Sequence, residues 1–399
     1  MGGNHATTIL KAPVTAPPDD ENALRIQLEK ALSTPFVDGN RIDILRNGDA
    51  IFPAMLESIR GARKQIQLLT YVYWRGEIAL QFATALAQKA AEGTQVKVLL
   101  DAVGAQSMDE QLITRMRESG VDVRWFRPIR LKLWKNDNRT HRKILVCDGH
   151  VAYTGGVGIA DEWQGDARNP GEWRDDHFRV RGPAVPLLAG AFWANWWEVD
   201  AETHIPSATE PPDPAGALPV QVIASAASTN ISEVVLVMRL ALAGAKKRIR
   251  VCTPYFVLDD LFKDLLSASI RRGVAIEIMI PGDHMDSRFD QLAGEADFQF
   301  LLALGVDIYR YQKAMLHAKL VLIDEHLSII GSCNLNQRSL YKDDEVLLNV
   351  WNTDFQAQLW EQYDEDLHDC EQITHAEWRH RSIWRRALEK TTRPFRQQL

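Results

Sequence analysis

Cysteine is scarce in this 399-residue chain: Cys147, Cys252, Cys333 and Cys370 lie far apart, with no Cys-x-x-Cys pair. This argues against a paired redox motif, and the apolar runs around Cys147 and Cys252 predict buried free thiols in a reducing compartment. No window approaches the roughly 20 apolar residues that a membrane-spanning helix needs. The start, Met-Gly-Gly-Asn-His-Ala-Thr-Thr, lacks the charged start and apolar core of a signal peptide, and Ala6 stands where a myristoylation pattern has Ser or Thr. The expectation is a soluble or peripherally bound protein. Excess basic charge is missing too: the net charge of −7 gives no general support for nucleic-acid binding. No zinc or magnesium signature is present, so no metal site is expected.

What is present is a stretch that occurs twice. His141-Arg-Lys143-Ile-Leu-Val-Cys-Asp148 in the first half matches His317-Ala-Lys319-Leu-Val-Leu-Ile-Asp324 in the second. Each copy then runs through six residues into a small pair, Gly155-Gly156 or Gly331-Ser332. The aliphatic residues between the polar positions predict buried strands, on which His and Lys at i and i+2 share a face. Asp148 with Gly149 reads as a hairpin turn. One His nitrogen can attack phosphorus while a second protonates the departing oxygen. Two Lys supply fixed charge to the phosphate oxygens. Neither half alone holds two His and two Lys, so the halves must face each other.

The repeat extends beyond the motif. Gly61–Thr70 resembles Gly244–Thr253, and each is the basic end of a helix followed by a strand. Helix Ile78–Glu92 and strand Gln95–Leu100 correspond to helix Asp260–Arg272 and strand Ala275–Ile280. Gly120-Val-Asp-Val corresponds to Gly305-Val-Asp-Ile. Landmarks in one order in both halves imply an internal duplication of alternating strands and helices, hence an α/β fold. The expected organisation is a lead and helix over 1–38 (Pro-rich and polar to about residue 22), a first domain over 39–200 and a Pro-rich linker over 201–219. A second domain over 220–370 and a basic tail over 371–399 complete it.

Other residues carry two readings each. Asp175 and Glu345 are placed to hold the imidazoles in the attacking tautomer, or else face solvent and pair with Arg174 and Lys342. Trp173–His177 is aligned here with Tyr341–Glu345. Gly156, Ser332 and Asn334 follow the motifs, and the two polar ones can bond phosphate oxygens or fix a Lys. Asp148 and Asp324 belong to the repeated set, yet lie roughly 20 Å from their His along a strand, which favours bracing over chemistry. His150 and His326 read as hairpin-surface residues. Arg130, Lys132, Trp134 and Lys135 interleave charge with apolar residues, as expected of a loop on an anionic membrane or of a solvated strand. Trp378, Arg381, Trp384 and Arg385 suit an interfacial helix, nucleic-acid contact, or packing of the Trp onto the second domain. Phe192, Trp193, Trp196 and Trp197 are expected in the core.

The doubled motif resembles the signature of the phospholipase D superfamily. The resemblance implies two phospholipase D-like α/β/α sandwich domains related by a pseudo-two-fold, with the active site at their interface. It further implies a phosphohistidine intermediate, no cofactor, His141 as nucleophile and His317 as acid/base. Thr70-Tyr71-Val-Tyr73, Asp161-Glu-Trp163, Trp173-Arg-Asp175, Pro254-Tyr-Phe256 and Met315-Leu-His317-Ala-Lys319 look like bacterial cardiolipin synthases of a shorter, peripherally attached kind. That likeness implies transfer of a phosphatidyl group, with phosphatidylglycerol as donor and acceptor and phosphatidylethanolamine as a further candidate donor. The implied place is the cytoplasmic face of the bacterial inner membrane, or the cytoplasm. A phospholipase D-type hydrolase and a nuclease are the competing readings. Gly158 departs from the superfamily, which often has Asn there. Asn336 and Asp343 exchange an Asp and an Asn that are common there.

Overall fold

Strand alternation explains the layering. In β5 (Ile144–Cys147) Ile144 and Val146 face one apolar cluster, whereas Leu145 and Cys147 face another. The second copy, β12 (Leu320–Ile323), splits in the same way, Leu320 and Leu322 to one side and Val321 and Ile323 to the other. Both strands are buried on both faces, so they read as continuous apolar runs and need helices above and below. The computed structural model describes residues 22–128, 138–200, 212–226 and 232–382.

The remaining strands of the first half are β1 (Val37–Arg46), β2 (Gln65–Thr70), β3 (Gln95–Asp101), β4 (Asp122–Phe126), β6 (Val151–Gly155) and β7 (Asp176–Arg181). Those of the second are β8 (Leu218–Ala224), β9 (Arg248–Cys252), β10 (Ala275–Pro281), β11 (Asp307–Tyr311), β13 (Leu327–Gly331), β14 (Val346–Trp351) and β15 (Cys370–Ile373). They form one 15-stranded sheet in the order β15-β11-β10-β9-β12-β13-β14-β8-β1-β7-β6-β5-β2-β3-β4. Outward from the antiparallel β8–β1 junction the two halves repeat the same order, with β15 added at one edge. The duplication expected from sequence is thus a pseudo-two-fold in space.

Three apolar clusters fill the molecule. One belongs to the first half, beneath helices Asn47–Gly61 and Glu77–Ala91, and one to the second, beneath Glu233–Gly244 and Asp260–Arg271. The third draws on strands of both halves and on helices Val185–Val199 and Thr353–Leu367. Phe192, Trp193 and Trp196 are buried there, but Trp197 is 42 % exposed, so its assignment to the core is corrected. Trp197 stands one turn beyond Trp193 and stacks on that ring at 5.8 Å, at the outer edge of the buried face. Helix Ala23–Leu32, expected as part of a lead, seats Leu24 and Leu28 in the core of the second half. Residues 1–21 and 201–211 of the expected lead and linker lie outside the described residues. Leu218 and Pro219, read as linker, begin β8.

Candidate active site

His141, Lys143, His317 and Lys319 do not lie in the strand ladders, which begin one residue after each Lys at Ile144 and Leu320. The expectation that His and Lys stand on a strand face is corrected. The extended segments leading into β5 and β12 instead bond across the pseudo-two-fold. The His141 amide donates to the Asp344 carbonyl at 2.9 Å and the His317 amide to the Arg174 carbonyl at 2.7 Å. Each Lys curls back, Lys143 Nζ donating to the His141 carbonyl at 2.8 Å and Lys319 Nζ to the His317 carbonyl at 2.6 Å.

The side chains cross in the same manner. His141 Nδ1 lies 2.9 Å from Glu345 Oε1, and His317 Nδ1 lies 2.7 Å from Asp175 Oδ2. Each imidazole is therefore held by a carboxylate from the other half. Asp175 and Glu345 are symmetry mates: Gly155 pairs with His177, Gly331 with Leu347, and each carboxylate stands two residues before its partner. The alignment of Trp173–His177 with Tyr341–Glu345 is thus corrected by two residues. Sequence spacing missed it because the loops before β7 and β14 differ in length.

The small residues after each motif support these carboxylates rather than touching substrate. A Cβ on Gly156 would sit 2.2 Å from Asp175 Oδ1, so only glycine leaves room for that carboxylate. In the second copy Ser332, fully buried, donates its hydroxyl to Glu345 and accepts from the Val346 amide at 3.0 Å. The expectation that Ser332 contacts phosphate gives way to this bracing role, and Gly156 takes part in orienting His317 through Asp175. Gly155 and Gly331, at φ 152° and 144°, pass so close to the next strand that a Cβ would meet a backbone oxygen within 2.6 and 2.2 Å. Gly158 cannot be Asn here, because its Cβ would lie 2.6 Å from Val72 and 3.2 Å from the Trp163 ring.

Asp148 and Asp324 are corrected out of the chemical site. Both sit at positive φ in the turns beyond β5 and β12. Asp148 accepts from the amides of Arg63, Lys64 and Gln65, and Asp324 from those of Lys246, Lys247 and Arg248. They satisfy the chain entering β2 and β9, at the far end of the strand from the His. His326 stacks on Trp351 with centroids 4.3 Å apart, and His150 is exposed.

His141, Lys143 and His317 open onto a cleft of about 360 Å³ together with Asn334. A larger groove of about 530 Å³ beside helix Asn47–Gly61 holds no His or Lys, and its Arg168 is paired with Asp49 and Glu172. The chemistry belongs to the smaller cleft. Burial lowers His141 to about 4 and pushes His317 well below the ordinary imidazole range, with Lys319 and Lys143 adding to the latter. Burial also brings Lys143 down to about 7 and Lys319 to about 8. Burial works to raise Glu345, but His141, Lys143 and Ser332 outweigh it and hold the carboxyl below its ordinary value. Burial raises Asp175, against the opposing pull of Lys319 and of the Trp163 and Asp176 N–H groups. The imidazoles are thus neutral at pH 7, each with Nδ1 tied to a carboxylate; Nε2 of His317 lies 3.5 Å from Lys319 Nζ.

Several contributors escaped sequence reading. Trp163 donates Nε1–H to Asp175 at 2.8 Å, and the Trp163 and Trp173 rings pack on His317 at 5.1 and 5.3 Å. The Tyr71 ring meets the His141 edge at 5.1 Å. Arg142, the unremarked middle residue of the first motif, is buried and donates to Ala191, Asn195, Ser225 and the Glu345 carbonyl. Arg174 forms a buried ion pair with Asp176 and Asp366, joining the halves on the other side. Asp343 receives the Arg139 amide and the Arg338 guanidinium, while Asn336 caps helix Gln337–Tyr341. The partners of Arg142, and Asp366 with Arg174, are distant in sequence, which is why spacing did not show them.

Among the proposed membrane contacts, Trp378 is buried against Phe298, and Arg381 lies over its ring and donates to its carbonyl. Trp378 and Arg381 are thereby corrected to packing of the last short helix onto the second half. Arg130, Lys132, Trp134, Lys135, Trp384 and Arg385 lie outside the described residues. Among the described residues no helix is long and apolar enough to cross a membrane, and no three His, Cys, Asp or Glu group as metal ligands.

Comparison with known proteins agrees with this architecture. The family model "Cardiolipin synthase, PLD-like domain" matches residues 55–162 and 238–367, one segment in each half. Cardiolipin synthase 1 of Bacillus cereus is 30% identical over 380 residues, 92% of this chain and 74% of that protein. The major cardiolipin synthase of Bacillus subtilis is 30% identical over 90% of this chain and 75% of its own. The crystal structure of a phosphatidylserine synthase from Haemophilus influenzae superposes with a TM-score of 0.71 at 17% identity, covering 94% of this chain and all of that one. The crossed His–carboxylate pairs stand on a duplicated fold shared with these proteins, and the chain belongs to the phospholipase D-like cardiolipin synthase family.

Proposed function

We propose that this protein transfers a phosphatidyl group from one phospholipid to a hydroxyl of another, with phosphatidylglycerol in both roles and cardiolipin and glycerol as products. The observation that carries the reading is the pair of crossed His–carboxylate bonds in one cleft, one imidazole for each side of a phosphorus. His141 Nε2 attacks phosphorus, the phosphorus–oxygen bond to glycerol breaks, and His317 in its protonated form gives the departing oxygen its proton. Glu345, anionic beside Nδ1–H, stabilises the positive charge that His141 acquires as the phosphohistidine. Neutral His317 then takes the proton of the acceptor hydroxyl, whose oxygen displaces His141 from phosphorus. Lys143 and Lys319 offset charge on the phosphoryl oxygens. Burial is the largest cause of the low basicity of His317, and a phosphodiester anion between these lysines offsets the further part that Lys319 and Lys143 contribute.

The two units over 39–200 and 220–370 each supply one His, one Lys and the carboxylate that serves the other. Attachment to an anionic membrane surface, from the cytoplasmic side, is proposed through Arg130, Lys132, Trp134 and Lys135. On either side of them, the Arg139 amide donates to Asp343, which lines the cleft, and Arg127 pairs with Glu198. The test is product analysis by mass spectrometry after incubation with phosphatidylglycerol vesicles, with and without phosphatidylethanolamine. Cardiolipin and glycerol are expected. Phosphatidic acid alone would make the protein a hydrolase, and absence of any lipid product would overturn the reading. His141→Ala and His317→Ala are each expected to abolish turnover, and substantial residual transfer in either would refute the two-His mechanism.

A further inference from the structure

One of the two motif lysines has a neighbour that the repeat does not give to the other. Lys143 is 3 % exposed, and its one hydrogen bond among the described residues goes to the His141 carbonyl at 2.8 Å. Its Nζ also lies 5.6 Å from the centre of the Tyr71 ring, within the reach of a cation–π contact. The same ring meets His141 at 5.1 Å and forms part of the cleft wall. In the repeat Gly61–Thr70 matches Gly244–Thr253, so Pro254 takes the place of Tyr71 in the second half. The bridges Tyr73–Ile159 and Phe256–Leu335 keep the same register in space. Pro254 offers Lys319 no ring, and Lys319 Nζ lies instead 3.1 Å from His317 Nδ1.

We infer that Tyr71 is a positioning residue for phosphatidyl transfer, its ring stabilising Lys143 in the ammonium form that the phosphoryl oxygens need. This rests on the phosphatidyl-transfer reading above. The charge on Lys143 is contested from every side. Burial opposes it most and Lys319 adds to that, while Glu345, Asp175 and Asp343 favour it. His141 and His177, each brought down to about 4 chiefly by burial, carry no charge at pH 7. The balance brings Lys143 to about 7 against about 8 for Lys319, so Lys143 is the first of the pair to be lost as the amine. A ring face shielded from water favours the ammonium over the amine by roughly tenfold. Burial pushes the Tyr71 hydroxyl up to about 12, so the ring stays a neutral phenol throughout this range.

The experiment places phenylalanine and its mono-, di- and trifluorinated forms at position 71 of the full chain, with Tyr71→Phe as the reference. The series keeps the shape of the ring and removes negative charge from its face step by step. Two quantities are read for each form. One is the NMR titration of the Lys143 side chain, assigned by its loss in Lys143→Arg. The other is the pH dependence of kcat/KM on phosphatidylglycerol vesicles. The Lys143 titration and the onset of the falling limb are expected to move down together, by roughly one pH unit from the Phe to the trifluorinated form. Lys319 should move little. The position of the limb, not its height, reads Lys143, so altered packing on His141 does not imitate the result. A Lys143 titration unchanged across the series, an equal movement of both lysines, or a limb that stays while the titration moves would each overturn the inference. A wild-type protein that yields no lipid product sinks the transfer reading, whereas the titration still decides whether Tyr71 holds the charge.

Discussion

Crossing of the carboxylates makes Asp175→Asn a test of His317 and Glu345→Gln a test of His141, against the grain of chain order. Asp175 accepts three donors: His317 Nδ1–H at 2.7 Å, Trp163 Nε1–H at 2.8 Å and the Asp176 amide at 2.8 Å. Loss of one charge-assisted bond costs about 1.5–3 kcal/mol, or roughly 10- to 150-fold in rate. An Asn amide would also turn an NH2 group toward one of those donors, leaving a buried N–H unpaired at a further ~1–3 kcal/mol. Glu345 accepts from His141 Nδ1–H and from the Ser332 hydroxyl, which can rotate, so Glu345→Gln forfeits only the first amount. Asp175→Asn is therefore expected to be the more damaging, by about one to two orders of magnitude. The assay is single-turnover release of p-nitrophenol from phosphatidyl-p-nitrophenol, a leaving group that needs no proton. His317→Ala and Asp175→Asn should recover a stoichiometric burst and then stall, because the first step is rescued and the second still lacks its base. His141→Ala and Glu345→Gln should show no rescue. If Asp175→Asn instead behaves like His141→Ala, each carboxylate serves the His of its own half and the crossed assignment is refuted.

Three other outcomes follow from the geometry. The kcat/KM for phosphatidylglycerol should fall as pH rises through about 7 to about 8, because the ammonium forms of Lys143 and Lys319 bind phosphate and are lost there. His141, down to about 4, should give no limb between pH 5 and 7, and a profile rising through pH 8 would contradict the charge assignment. Gly156→Ala should lose as much activity as Asp175→Asn, since its Cβ would displace that carboxylate; an active Gly156→Ala would mean the loop has slack. Asp148→Ala and Asp324→Ala should lower stability by about 1–3 kcal/mol in urea unfolding and leave the folded fraction active. Lost turnover at unchanged stability would return them to the chemistry.

Much of the fold could be read locally because it is written in local patterns. The helices ending at Gly93, Gly120, Gly273 and Gly305 stop at positive φ, where only glycine is unstrained, so the repeat was visible from its punctuation. Register in the doubled motif was visible because His, Lys and Asp keep one spacing. The two-residue error at Asp175 and Glu345 arose because unequal loops break that spacing, and only the ladder pairs of β6–β7 and β13–β14 restore it.

By itself the sequence determined that the chain is a duplication, that four groups of phosphoryl-transfer type recur in matched pairs, and that a buried apolar strand runs through each copy. Those facts rest on composition and periodicity, which need no long-range partner. Only the tertiary structure decided which carboxylate holds which imidazole, that Gly156 exists to admit Asp175, that the motif Asp residues brace turns, and that Trp378 is buried. Each of these depends on a contact between residues well separated in sequence, and the pairing of carboxylate with imidazole depends also on the β8–β1 junction that joins the halves. Burial sets the ionisation of the site for the same reason: the clusters that close over His141 and His317 come from both halves, and neither imidazole would be dry in one half alone.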